Sequence, residues 1–166
     1  MILGMTTATF TLLHVLISLV GIGSGFVVIF GLLTGKRLER WTVLFLGTTL
    51  LTSLTGFLFP IEHVTPGIVV GGLSLVVLAI AILARYGLQM SGAWRWIYVV
   101  TTALALYLNT FVLVVQSFEK VPALKALAPT QKEPPFLVAQ LAVLALFIVL
   151  TVMSVKRFHA EPLAAA

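Results

Sequence analysis

Five long apolar runs, separated by short polar segments, make up most of the chain. They cover residues 6–33, 41–60, 67–84, 96–118 and 136–155. Each run is continuously apolar rather than alternating between apolar and polar residues, which favours a lipid-exposed helix over a barrel strand. A hydrocarbon core of ~30 Å requires about 20 helical residues, so these runs have the length of membrane spans. The pattern predicts an all-α, polytopic membrane bundle of five transmembrane helices.

The composition agrees with a lipid environment. Of the 166 residues, 60% are hydrophobic and only 9% are charged, whereas a soluble domain carries about 25% charged residues. A chain of this length is expected to form a single membrane domain over residues 1–166. It contains no cysteine, which excludes disulfides, thiolate metal sites and thiol nucleophiles.

The positive charges in the gaps predict an orientation. Lys and Arg concentrate in cytoplasmic loops, so the N-terminus is expected outside and the C-terminus in the cytoplasm. The net charge of +5 does not indicate nucleic acid, because no basic stripe alternates with aromatic residues. The predicted cytoplasmic gaps hold seven cations, and the outer gaps hold three: Lys36, Arg37, Arg40, Arg85, Arg95, Lys156 and Arg157 against Lys120, Lys125 and Lys132.

Aromatic residues flank the runs on the predicted cytoplasmic side. Trp41, Trp94, Trp96 and Tyr98 lie at the run ends there. Trp and Tyr favour the boundary between lipid and water. We therefore expect these four side chains to form an aromatic belt.

The longest polar segment, residues 119–135, is rich in proline. Pro122 is expected to open a short interfacial helix that continues to Ala128. The stretch 130–135 is expected to be extended, because a residue before proline avoids the α region. This outer loop is longer than a bare connection needs, so it is a candidate contact surface for another membrane protein.

Glycines recur at a four-residue spacing, which lets transmembrane helices approach each other closely. Two interpretations stay open. The glycines pack helices within one chain, or those of the first run form the seam of a homodimer. The pairs are Gly21 with Gly25, Gly31 with Gly35, and Gly67 with Gly71.

A set of polar residues is expected in the outer half of the bundle. Positions 14, 18, 21 and 25 follow at spacings of four, three and four, so His14 shares a helix face with small residues that meet another helix. Asn109 and Gln116 likewise share one face of the fourth run. The connection carrying Glu62 and His63 closes over the same side. Together these five residues define a candidate ligand-binding pocket that opens outward.

Three interpretations of this set stay open. The plainest is that the polar side chains satisfy each other or backbone carbonyls as contacts between helices. The second is a pocket for a quinone, a lipid head group or a small solute. The third is ligation of a b-type haem or another metal by His14 and His63, with Met5 as a further ligand for copper.

No catalytic pattern is present. The chain has no nucleophile elbow, phosphate-binding loop or HExxH motif. No Asp, Glu, Lys or Arg lies well inside any run, which argues against a proton relay or an ion-coupled pump. We therefore expect a protein that is not an enzyme.

Several segments resemble small multi-pass membrane proteins of unknown function from proteobacteria. They are the stretch from Asn109 to Leu124, its continuation from Leu127 to Phe136, the opening from His14 to Phe26, and the Gly56-Phe-Leu-Phe-Pro60 turn. The resemblance implies a bacterial inner membrane. It implies no activity, cofactor or site.

The primary hypothesis is a non-enzymatic inner-membrane protein that binds a partner or a small apolar ligand through the outer pocket. The expected partners are the lipid bilayer and another membrane protein or a second copy of the chain, and no nucleic acid. The first alternative is a redox-linked protein that holds haem b or quinone at His14 and His63. The second alternative is a small-solute transporter or channel.

Overall fold

A computed structural model describes residues 2–60 and 66–159. Every regular element in these two ranges is helical, which confirms the all-α prediction. A π-helical turn, Leu83–Gly87, continues the third helix. The helices are α1 (Thr7–Leu33), α2 (Glu39–Gly56), α3 (Pro66–Ile82), α4 (Trp94–Lys120), α5 (Pro122–Leu127) and α6 (Pro134–Arg157).

Four helical segments of the described chain have the length and the apolar composition needed to cross a membrane. They are Thr7–Leu33, Gly67–Gly87, Trp94–Lys120 and Pro134–Arg157, and they match the first, third, fourth and fifth apolar runs. The chain therefore has the character of a membrane protein. The second run forms α2, which is less apolar because it begins with two charged residues and carries several hydroxyl side chains.

The central helix of the bundle is α4. It contacts α1, α3, α5 and α6, whereas α2 packs between α1 and α3. Much of α4 is buried, including Tyr98, Ala105 and Leu106, which are fully enclosed. By contrast, α6 buries only Phe147 and Ser154 and so lies at the periphery.

Close helix packing depends on two glycines of α1. A Cβ atom on Gly25 would lie 2.6 Å from Leu106 Cδ1 and 2.8 Å from Phe45 Cδ2. A Cβ atom on Gly21 would lie within about 3.3 Å of side chains of α2 and α4. This face of α1 is therefore occupied by helices of the same chain. In α3, a Cβ atom on Gly71 would lie 3.4 Å from Phe57 Cζ, while Gly67 is exposed.

The pair Gly31 and Gly35 ends α1. The Lys36 N–H donates to the Gly31 carbonyl at 2.8 Å and the Gly35 N–H to the Leu32 carbonyl at 3.2 Å. This is the Schellman arrangement, in which the residue after the cap adopts a left-handed conformation. Gly35 has a φ of +71°, which glycine tolerates without steric cost.

The connection between α4 and α6 is shorter than the predicted loop of residues 119–135. α4 continues to Lys120, and α6 begins at Pro134, because proline suits the first turn of a helix, where its missing N–H is not needed. Pro134 and Pro135 are thus helical rather than extended. A short helix, α5, is present at the predicted position and ends at Leu127, one residue before the predicted end at Ala128. Glu133 organises the turn before α6, since its carboxylate accepts hydrogen bonds from the Thr130 hydroxyl and from backbone N–H groups.

One end of the bundle is strongly basic. The Arg95 guanidinium at the start of α4 donates to the Phe158 carbonyl after α6, and a Cβ atom on Gly35 would lie 3.9 Å from the Arg157 carbonyl. We call the end that carries the α1–α2 turn, the α3–α4 turn and the end of α6 the basic end. Among the described residues it holds seven Lys and Arg against one carboxylate, Glu39, whereas the opposite end holds three lysines against two carboxylates.

Candidate functional site

His14 is partly buried against the end of α2. Its Nδ1 lies 2.8 Å from the Thr55 hydroxyl oxygen. Its ring meets Phe59 edge-on, with the centroids 5.3 Å apart. Because the Thr55 hydroxyl is also 2.7 Å from the Leu51 carbonyl, it can donate there and accept from His14. The His14 face of α1 thus points into the bundle, as its spacing predicts.

Asn109 lies deeper than His14 and does not pair with it. Its amide nitrogen would lie 3.3 Å from a Cβ atom on Gly21, two helical turns from His14. The Thr49 hydroxyl oxygen would lie 3.2 Å from the same point. Neither atom has a hydrogen-bond partner among the described residues. Between the two levels, the Ser18 hydroxyl donates to Thr52 Oγ1 at 3.3 Å. His14 and Asn109 therefore belong to separate polar contacts along one seam.

The other candidates for the outer pocket are placed elsewhere or are not described. Gln116 is exposed on α4. Glu62 and His63 lie outside the described residues, so their convergence on His14 stays a prediction. Within residues 2–60 and 66–159, no group of three or more His, Cys, Asp or Glu side chains is placed to hold a metal ion. The haem and copper hypotheses also stay predictions.

A charged cluster at the basic end is the most elaborate polar arrangement in the described chain. Arg85 is 5% exposed. One terminal nitrogen of its guanidinium donates to the Tyr98 hydroxyl at 3.0 Å, and the other donates to a carboxylate oxygen of Glu39. The second Glu39 oxygen accepts from the Tyr86 hydroxyl at 2.8 Å. The guanidinium also lies 5.1 Å from the centre of the Tyr98 ring and 5.5 Å from that of Tyr86, within the range of cation–π attraction.

The π-helical turn explains why Arg85 points inward. The Leu88 N–H donates to the Leu83 carbonyl at 2.8 Å, five residues back, and Met90 donates to Ala84 at 2.8 Å. This wider turn follows α3 directly and gives its side chains a different direction from that of a continued α-helix, and such turns are frequent at functional sites. Beyond the turn and its cap Leu88, Gln89 and Met90 have φ values of 48° and 55°, a left-handed conformation that is unfavourable for non-glycine residues.

Glu39 is held in its ionised form. The Arg85 guanidinium and the Tyr86 hydroxyl both donate to its carboxylate, and such donors favour the charged form of a carboxylate. The cluster is therefore an ion pair at neutral pH. Its two partners differ in accessibility, with the side chain of Arg85 3% exposed and that of Glu39 57% exposed.

Two adjoining depressions open beside this cluster. The first is a charged pocket of about 280 Å³. The second is an apolar groove of about 320 Å³ between α2 and α3. Tyr86 lines both, so the pocket and the groove are neighbours. The charged pocket is lined by Arg37, Glu39, Arg85, Tyr86, Gln89 and Met90, and the apolar groove by Val43, Leu46, Gly47, Leu50, Ile82 and Tyr86.

Sequence patterns missed this cluster for identifiable reasons. Arg85 follows the third apolar run directly, so the apolar pattern predicts a position in a cytoplasmic gap, and it predicts that Tyr98 belongs to the aromatic belt. In the structure Tyr98 is fully buried, while Trp41 and Trp96 remain exposed as expected of a belt. One signal was available. Glu39 is the only acidic residue in the predicted cytoplasmic gaps before the C-terminal tail, and a single acid among many bases indicates an ion pair.

No known protein family, curated protein or solved structure matches this chain. Two features of the chain itself bear on its function, the charged cluster at the basic end and the apolar groove beside it.

Proposed function

We propose that the protein crosses the membrane five times, with α2 as the fifth span, its basic end in the cytoplasm and its N-terminus outside. Packing supports α2 as a span, since it lies between α1 and α3. Its 18 residues extend ~27 Å, close to the ~30 Å of a bilayer core. The excess of Lys and Arg at one end supports the orientation. The resemblance to proteobacterial proteins supports a bacterial inner membrane.

Cysteine labelling tests the orientation cleanly, because the chain has no cysteine of its own. Lys125 and Lys156 are exposed lysines at opposite ends of the bundle. In intact spheroplasts, we expect Lys125→Cys to react with a membrane-impermeant maleimide. Lys156→Cys should react only after the membrane is permeabilised. The reverse pattern, or labelling of both variants from one side, would contradict the five-span orientation.

We further propose that the protein binds a membrane lipid at its basic end and performs no chemistry on it. The observation that carries this proposal is the charged pocket next to an apolar groove, joined at Tyr86. A lipid has the matching division, with a polar head at the membrane boundary and an apolar chain beneath it. Arg37, Arg85 and Glu39 provide charged partners for the head, and the groove provides apolar surface for the chain.

The groove has the shape that an acyl chain requires. Val43, Gly47 and Leu50 follow at spacings of four and three, so they form one strip along α2. The strip rises ~10 Å along the helix axis. Gly47 leaves the strip open, since a Cβ atom there would meet nothing within 4 Å. The opposite wall is formed by Ile82 and Tyr86 at the end of the third span.

Filling the groove should remove the bound lipid. Gly47→Leu places a branched side chain into the groove, so we expect this variant to lose most of the lipid that co-purifies with the wild-type protein. Native mass spectrometry of protein released from mild detergent measures the lipid that remains bound. The protein should still fold, because the new side chain enters open space.

Gly23→Leu is the matched control for this experiment. Gly23 is also an exposed helical glycine with nothing within 4 Å of an added Cβ atom, and it lies on α1, away from the groove. We expect this variant to keep its lipid. If Gly47→Leu and Gly23→Leu retain the same amount of lipid as the wild type, the groove is not a lipid site.

A further inference from the structure

Glu39 accepts only one hydrogen bond from the Arg85 guanidinium. Carboxylates commonly bind arginine with two parallel hydrogen bonds on one edge of the guanidinium. Here Glu39 gives one oxygen to Arg85 and the other to the Tyr86 hydroxyl. The Arg85 Nε is buried and has no partner among the described residues. A buried donor without a partner on an arginine that is 3% exposed indicates a position for a further acceptor oxygen.

The two partners also differ in how easily they can move. The Glu39 side chain is 57% exposed, so it can turn into water without displacing packed residues. Arg85 cannot follow, because its side chain is enclosed and its other terminal nitrogen is bonded to Tyr98. Glu39 is therefore the exchangeable partner, and it occupies the position that an anionic ligand would take on Arg85.

The charge of the pocket favours an anion. Two arginines, Arg37 and Arg85, and one carboxylate, Glu39, line it. When Glu39 turns away, two positive charges face the ligand. A phosphate diester carries one negative charge and two free oxygens, which match the edge of a guanidinium. A head group that also carries an ammonium would bring that cation towards Arg37 and would bind less well.

We propose that the charged pocket binds the phosphate of an anionic phospholipid, which displaces Glu39 from Arg85 while an acyl chain occupies the groove. This inference rests on the proposed function as a lipid-binding protein, and it names the class of lipid and the residue that competes with it. The exchange involves no covalent step. Glu39 therefore competes with the lipid phosphate for Arg85. When no lipid is bound, Glu39 pairs with Arg85.

Removing the competitor should strengthen binding. We expect Glu39→Gln to bind phosphatidylglycerol on the order of tenfold more tightly than the wild type does, because one negative charge leaves the pocket. Affinity for phosphatidylethanolamine should change much less. Delipidated protein is titrated with each lipid in detergent, and the lipid-bound fraction is read by native mass spectrometry. Glu119→Gln is the matched control, since Glu119 pairs with Lys120 on the surface of the opposite end.

A second variant keeps the test decisive if Glu39→Gln is poorly folded. Arg37 lines the pocket at the turn before α2. We expect Arg37→Gln to weaken phosphatidylglycerol binding about tenfold, because one of the two cations that face the phosphate is lost. Inorganic phosphate is titrated in parallel, and it should bind far more weakly because it gains nothing from the groove.

The outcomes separate this inference from the proposed function. Equal affinities for the two lipids, or no gain in Glu39→Gln and no loss in Arg37→Gln, would overturn the phosphate assignment, while lipid loss in Gly47→Leu would still support a lipid site. Lipid retention in Gly47→Leu would overturn both proposals. Inorganic phosphate that binds as tightly as phosphatidylglycerol would identify a free anion as the ligand and would overturn the lipid as its source.

Discussion

Leucine in place of Gly25 is expected to prevent the bundle from assembling. An added Cβ atom would already lie 2.6 Å from Leu106 Cδ1 and 2.8 Å from Phe45 Cδ2. Both neighbours are completely buried, so neither can move aside without disturbing α2 or α4. Extra carbons in a packed core cost about 1–3 kcal/mol even where some relaxation is possible. Here α1 must separate from both neighbours, so we expect a loss of at least about 3 kcal/mol.

Size-exclusion chromatography of a fluorescent fusion measures this effect. Gly25→Leu should give little monodisperse protein and a strongly reduced Tm. Gly23→Leu, two residues away on the same helix, points into open space and should behave like the wild type. Equal chromatographic profiles for the two leucine variants would show that α1 does not pack on α2 and α4 at Gly25.

The second large effect concerns the ion pair between Glu39 and Arg85. Replacing Glu39 should lower the stability of the fold more than replacing Arg85. Glu39→Gln leaves Arg85 buried without its charged partner, which is costly in an apolar environment. We expect a loss of about 2 kcal/mol, reduced from the full buried-pair value because Glu39 is half exposed. The two substitutions are compared in a Tyr98→Phe background, because Arg85→Met would otherwise leave the buried Tyr98 hydroxyl without its partner. In that background Arg85→Met leaves Glu39 free to turn into water and fills the same space with an apolar chain, so we expect a loss within about 1 kcal/mol.

A double-mutant cycle checks the asymmetry. The double variant should be about as stable as Arg85→Met alone, because the cost of Glu39→Gln exists only while Arg85 is present. Thermal unfolding of delipidated protein should show a Tm about 5 °C lower for Glu39→Gln than for Arg85→Met or the double variant. Additive losses, or a larger loss for Arg85→Met, would mean that Arg85 does not depend on Glu39.

Apolar patterning predicted most of the architecture because lipid imposes a simple rule on helices. A continuous apolar run of about 20 residues can do little except form a helix in the membrane, and residues 2–60 and 66–159 contain four such helices. Helix ends were harder to place. Proline at the first turn extends α6 back to Pro134, and a Schellman motif uses Gly31 and Gly35 to end α1. Both depend on local hydrogen bonds rather than on hydropathy.

The polar residues could be predicted only in part. The helical spacing of His14 and Ser18 correctly places them on the face that meets another helix, since both contact α2. The spacing could not show that Asn109 meets α1 at Gly21 rather than at His14. The apolar pattern does not predict the inward direction of Arg85. That direction depends on a π-helical turn, and hydrogen bonds to residues 5 and 6 positions back leave no signature in the apolar pattern.

The hydroxyl groups of α2, which is the proposed fifth span, bear on how that span would enter the bilayer during synthesis. Thr42, Thr48, Ser53 and Thr55 each donate to a carbonyl of their own helix. Such a helix arrives in lipid with these donors already satisfied. The least apolar segment can therefore be inserted before its neighbours are in place, and its lateral association with α1 then depends on shape complementarity at glycine more than on new hydrogen bonds.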